Sequence, residues 1–164
     1  MIVDDRLKFC TDLVHNGAAT VIFTDTVDIL NNRDLGSGRA GLWLHIHVTT
    51  AFAGLIAATF QLFLCATTTI NIVTPPLDQA VAEGQYALGT LGVNAHLMIP
   101  LQKPTISQIA SFSVTNPGAQ QNPFRFLIGQ MVPSGTATGG KWTARLTTDP
   151  AIGSFAYPTS KTVI

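Results

Sequence analysis

The chain has 164 residues, 46% of them hydrophobic and only 11% charged, against roughly 25% charged in an average soluble domain. This length suits one domain with a real hydrophobic core. Nine basic and nine acidic residues cancel, which excludes the basic field that draws a protein to a nucleic-acid backbone. So thin a charge cover protects poorly against association, and the expected setting is an assembly.

The start, Met-Ile-Val-Asp-Asp-Arg, lacks the basic opening and apolar core of a signal peptide, so secretion is not expected. Residues 1–17 read as an N-terminal arm, its first ten residues an arm or a single helical turn. A first strand is predicted over Thr20 to Leu30, closed by the polar turn Asn31 to Gly38. A second covers Leu42 to Thr49, and a third Ala57 to Thr68. In the third, Phe60, Leu62 and Leu64 alternate with Thr59, Gln61 and Phe63, the period of a half-buried strand.

No Asp, Glu, Lys or Arg occurs from Ala40 to Leu77, and AFAGLIAATFQLFLCA within it resembles a membrane span. That run falls short of the roughly 20 apolar residues a crossing helix needs. Gln61 interrupts it, and it continues into β-branched residues, so buried strands are expected there and no membrane partner. Pro75-Pro76 closes the region.

Leu77 to Gly92 is ambiguous: LDQAVAEGQYALG could supply a helical turn, limited by Gly84 and Gly89. Strand-like runs resume at His96 to Leu101, Ile109 to Thr115, Phe124 to Val132 and Lys141 to Thr148. Asn116-Pro117-Gly118 and Pro133-Ser134-Gly135 read as turns between them, and Gly139-Gly140 as a hairpin turn. In the last run Trp142, Ala144 and Leu146 oppose Thr143, Arg145 and Thr147. Seven or eight short strands with little helix predict an all-β fold, an antiparallel β-sandwich of jelly-roll type spanning residues 18–149. Residues 150–164 form a C-terminal extension whose Phe155, Tyr157, Val163 and Ile164 favour packing, against the chain's own domain, a sister subunit or another protein.

Candidate chemistry centres on GLWLHIHV, where His45 and His47 sit two apart and point to one side of a strand. Cupin enzymes begin their metal set with such a His-x-His pair. They also need a glutamate a few residues on, but no carboxylate follows here before Asp78. Arg39 stands where a cupin has glycine. Only His96 remains as a distant third ligand, so strand or interface histidines are the expectation, not a metal site. Glu83 is the only glutamate, and no hydrolase elbow, P-loop or dinucleotide fingerprint occurs. No catalytic set and no cofactor are expected. Cys10 and Cys65 fit no metal or redox spacing and read as small buried hydrophobes; a disulfide between them stays open, though a cytosolic origin argues against one.

The stretch TVDILNNRDLGSGRAGLWLHIHVTTAF resembles the start of the Bbp16-like capsid cement (decoration) proteins of tailed bacteriophages. The resemblance rests on Val27-Asp28-Ile29-Leu30, the turn Arg33-Asp34-Leu35-Gly36-Ser37-Gly38, and Leu42 to Phe52. YALGTLG, LMIPL and NPFRFLIGQMV are similar to the family's later strands, and GTATGGKWTARLTTD to its closing hairpin. The likeness covers most of residues 1–149. It departs in the C-terminal extension and in a longer insert near Pro75 to Gly92.

This resemblance implies a jelly-roll-like sandwich on the exterior of an icosahedral head, made in the bacterial host cytoplasm. It implies a structural role bridging subunits of the major capsid protein, and a small homo-oligomer, dimer or trimer. Arg6, Lys8 and Phe9 in the arm are the first candidates for contact with the shell. Phe155 and Tyr157 follow, because aromatic residues anchor interfaces, and His45 and His47 are tested as interface residues. Two rivals are a cupin-like metal-binding jelly roll and a carbohydrate- or receptor-binding jelly roll of the virion. The second would draw on Trp43 and Trp142, the only tryptophans.

Overall fold

The computed structural model describes residues 7–28, 42–65, 80–101 and 126–147, with the side chains of Leu64 and Cys65 outside that description. The described residues are almost entirely antiparallel β structure. In chain order they form β1 (Lys8–Val14), β2 (Val21–Ile22), β3 (Val27–Asp28), β4 (Trp43–Cys65), β5 (Ala80–Ala87), a 3-10 turn (Leu88–Thr90), β6 (His96–Pro100) and β7 (Phe126–Thr147). No described helix is long and apolar enough to cross a membrane.

Two long strands organise the sheet. β4 and β7, of 23 and 22 residues, pair antiparallel from Trp43↔Thr147 to Cys65↔Phe126, with register shifts between Val48 and Ala57. Around them the order is β1-β7-β4-β5, with β2 and β3 also on β7 and β6 also on β4. One end of the β4–β7 ribbon is therefore flanked by β1 and β6, which pair with residues near 141–145 and 43–47. The other end is flanked by β2, β3 and β5.

The ribbon is folded over on itself. Phe60 and Val48 lie 12 residues apart on β4, a span of roughly 40 Å along a straight strand. Val48 is the cross-strand partner of Trp142, yet the Phe60 and Trp142 rings are 6.0 Å apart, edge to face. Only a sharp bend between the two ends brings them together, and the register shifts lie at that bend. Gly54 sits there with φ +77°, and a Cβ on it would run into the Thr136 carbonyl oxygen. A side chain at that position clashes with the partner backbone.

Inside the fold, Leu44, Ile46 and Val48 of one end share a single core with Phe60 and Leu62 of the other. Trp142 is the centre of this core. It is fully buried, with its ring 5.5 Å from Phe52 and 6.4 Å from His15. The alternation expected for Trp142, Ala144 and Leu146 is observed, all three being buried. A smaller apolar cluster, Phe63 and Ile128 with Ile22, Ala80 and Phe126, lies apart from the main one.

Several element boundaries differ from the sequence expectation. The runs Leu42 to Thr49 and Ala57 to Thr68 belong to the single strand β4, described as far as Cys65. The described parts of the runs Phe124 to Val132 and Lys141 to Thr148 likewise fuse in β7, Phe126–Thr147. Pro133-Ser134-Gly135 is part of strand β7, not a turn, with Ser134 and Pro133 paired to Ala57 and Ala58. The register shift beside it, between Leu55↔Gly135 and Ala57↔Ser134, leaves the extra residue, Ile56, on β4. Gly139-Gly140 also lies within β7, and Gly140 is required because the Phe52 ring occupies the place of its Cβ. The expected closing hairpin at Gly135 to Asp149 is thus a continuous strand as far as Thr147.

Lys8–Val14, read as arm, is strand β1, and the ambiguous region supplies strand β5 and the 3-10 turn. Thr20 to Leu30 contributes two short pairings with β7. The predicted strand Ile109 to Thr115, the turn Asn116-Pro117-Gly118 and the C-terminal extension lie outside the described residues.

Candidate functional site

Because Leu44, Ile46 and Val48 face the core, alternation turns His45, His47 and Thr49 to the opposite face of β4. On that face β7 offers Thr143 and Arg145, and β6 offers His96. Arg145 is the register partner of His45, and His96 is that of His47. Three histidines and an arginine from three strands are thereby gathered at one end of the ribbon.

Their geometry is specific. The Arg145 Nε–H donates to His45 Nδ1 at 3.0 Å, and His45 Nε2 lies 2.8 Å from His96 Nδ1. The His45 and His96 rings lie end to end, their centroids 5.0 Å apart and their planes within 10°, while the His47 and His96 rings stack at 4.4 Å with 9° between planes. His45 is buried and His47 and His96 are half-buried. Beyond them, Thr49 Oγ1 donates to Asp12 Oδ1 at 2.7 Å. The Asp12 N–H donates to Thr143 Oγ1 at 3.2 Å. Asp12 has φ +47°, a left-handed conformation that Asp tolerates, at the irregularity of β1 between Cys10 and Leu13.

Electrostatics keep these rings neutral. Burial first, then the Arg145 cation and the neighbouring imidazoles, push the His45 pKa down to about 3. Burial, His47 and Arg145 push His96 down to about 4. Burial also lowers His47, opposed by a hydrogen bond with Asn94 and by the Asp12 charge. A proton on any of these rings would be poorly solvated and close to a fixed positive charge.

The third histidine that a metal site would need is therefore present, 49 residues from His47 in sequence and beside it in the fold. The glutamate that the cupin pattern also requires still has no counterpart, since no carboxylate follows His47 before Asp78. Among the described residues no group of three His, Cys, Asp or Glu side chains is arranged to hold an ion.

The other candidate residues scatter. Lys8 opens β1 opposite Arg145 and is half-buried. Phe9, expected at an interface, is fully buried in the chain's own core, its ring 5.9 Å from Phe23. It has no surface to offer a partner; the sequence showed an apolar residue beside charges but not which strand it would join. Arg6, Phe155 and Tyr157 lie outside the described residues. Trp142 is in the core and Trp43 is half-buried. Cys10 is a free, buried thiol whose pKa burial raises to about 12, which makes it inert.

Sequence reasoning missed Arg145 and Asp12 as members of the histidine face. Arg145 was legible as an outward residue of its strand, but only the β4–β7 register sets it against His45. A second polar row was also missed. At the other end of the ribbon Gln130 Nε2 donates to Gln61 Oε1 at 2.7 Å, and Gln61 Nε2 donates to Glu83 Oε2 at 2.8 Å. Comparison with protein-family models and with curated proteins found no match.

Proposed function

We propose that this chain is a structural protein, a capsid cement protein of a tailed bacteriophage, built as a jelly-roll-type β-sandwich. In this reading it sits on the outside of the icosahedral head, as a dimer or trimer, and bridges neighbouring subunits of the major capsid protein. The observation that carries it is the ordered series of segments from Val27-Asp28-Ile29-Leu30 to GTATGGKWTARLTTD that resembles that family. The sparse charge and the all-β fold support it.

Such a protein acts by mass action: disassembly of the shell must first lose its contacts. Individual contacts need not be strong when one oligomer grips several capsomers. With Phe9 in the core, the contact candidates that remain are Arg6, Lys8, His47, Phe155 and Tyr157. The cupin-like rival is disfavoured by the lack of a carboxylate between His47 and Asp78, and the sugar-binding rival by the burial of Trp142.

Cosedimentation with intact capsids tests the proposal. Binding to mature shells, together with increased resistance of those shells to heat or chaotrope, is the expected result. Failure to bind, or absence of the protein from virions, would overturn it. Deleting residues 1–6 tests the arm without cutting into β1, and a folded truncation that binds unchanged would remove the arm from the interface.

A further inference from the structure

The Arg145–His45–His96 chain has a property that neither the fold nor the proposed role requires. Arginine only donates, so the His45 Nδ1 that it contacts must be bare, and the proton of a neutral His45 is on Nε2. That Nε2–H then donates to His96 Nδ1, which must also be bare, and the proton of His96 is on its Nε2. The direction of the whole chain follows from the arginine at its end. One more proton has only two places to go, His45 Nδ1 or His96 Nδ1. The first sets N–H against N–H across the 3.0 Å contact with Arg145, and the second does so across the 2.8 Å contact between the rings. No tautomer escapes.

We propose that the Arg145–His45–His96 chain is a proton-sensitive latch that ties β6 to β4 and β7 and loosens β6 on acidification. β6 is the strand exposed to this, because among the described residues its ladder runs along β4 alone, from Trp43↔Pro100 to His47↔His96.

The charged and titratable surroundings act in the same direction, with one exception. From β4, His47 stacks on His96, so its own protonation adds a like charge. From β1, Lys8 stands opposite Arg145, and Asp12 is the one acidic side chain on this face among the described residues, bonded to Thr49 and acting on His47. From β7, Arg145 is the fixed cation, and Lys141 lies beyond it opposite Thr50 and Val14. β5 approaches β6 where Gly84 meets Ile99, but turns Glu83 to Gln61 and Tyr86 to the Phe60 ring. The low pKa values of His45 and His96 accord with a chain that resists the extra proton until acid forces it.

Imidazole nitrogen NMR on the whole chain at pH 7.5 tests the wiring directly. Both His45 and His96 are expected as Nε2–H tautomers, and an Nδ1–H on either ring would overturn the proposal. Hydrogen exchange from pH 7.5 to pH 4.5, corrected for the intrinsic rate, tests the consequence. Protection of the β6 amides is expected to fall by roughly tenfold per pH unit once one proton is taken up, while β5 holds. In His96→Gln, whose side-chain oxygen still accepts from His45 but binds no proton, the acid loss in β6 should shrink to less than about twofold per pH unit. In Arg145→Met, His45 Nδ1 is open to the proton and the loss should be reduced. Equal acid loss in the native chain and His96→Gln, or equal loss in β5 and β6, would overturn the latch.

Discussion

The two ends of the β4–β7 ribbon carry polar rows of the same shape and different chemistry. At one end a β7 donor, Arg145, bonds a β4 side chain, His45, which bonds His96 on β6. At the other, Gln130 on β7 bonds Gln61 on β4, which bonds Glu83 on β5. Each row has a direction set from one end. Arg145 only donates and pushes the histidine row outward, whereas a Glu83 carboxylate oxygen only accepts and draws the amide row toward itself. The amide row holds no imidazole, and each of its two hydrogen bonds has an amide N–H as donor. The imidazole row depends on a proton count. Cross-strand geometry alone therefore does not decide how a polar row responds to its surroundings; the side chains placed on it do.

Both rows rest on the same core, and the largest expected effect is on that shared support. Trp142→Ala should cost about 3–5 kcal/mol, measured by denaturant unfolding, and should lower exchange protection at both ends together. Loss at the histidine end alone would show that the two ends are less coupled than the contacts among Phe52, Phe60 and Trp142 indicate.

Acid should then separate the ends. The folded-state pKa values of His45 and His96 are depressed to about 3 and about 4, below the ordinary 6.5. The unfolded chain therefore binds more protons than the folded one between those values and 6.5. The stability they represent is present in full above pH 6.5 and declines as pH falls toward 4. A thermal midpoint that stays level from pH 7 to pH 4.5 would contradict this. Replacing both histidines, His45→Gln with His96→Gln, should reduce the proton uptake on unfolding at pH 5 by about two.

Breaking the amide row should have a smaller effect. Gln61→Leu strands the Gln130 donor in a buried place and should cost about 1–3 kcal/mol, by an amount that is constant from pH 7 to pH 5.5. A pH-dependent cost would mean that the two rows are not chemically distinct. The smallest change is expected from Thr49→Val, which removes an exposed hydrogen bond to Asp12 and should cost about 0.5–1.5 kcal/mol. Its informative readout is the His47 titration, which should move little, because Asp12 acts on that ring by its charge.

How much of this was legible in the sequence varied with the range of the interaction. Alternation in Lys141 to Thr148 placed Trp142, Ala144 and Leu146 inward, and the same period separated Phe60 and Leu62 from Gln61 and Phe63, as observed. The His45–His47 pair was visible as two side chains on one face. Its third member was named only as a distant residue, since nothing local couples His96 to a strand about 50 positions earlier. Turn signals misled where a long partner strand carried the same residues onward. Pro133-Ser134-Gly135 has the composition of a turn, but with β4 alongside, the chain continues through it as a kinked strand. Phe9 looked like a surface anchor because its neighbours are charged; a partner strand gives it a core.

By itself, then, the amino-acid order determined the antiparallel β class and the inward and outward faces of the strands. Both are consequences of a two-residue period and of residue chemistry that acts over a few positions. Only the tertiary structure decided that four expected strands are two long ones and that their ribbon bends at Gly54. It also decided that Arg145, His45 and His96 meet in one chain of hydrogen bonds. Those outcomes depend on the register between β4 and β7 and on the return of β6 to β4, pairings between segments far apart in sequence that no local pattern encodes.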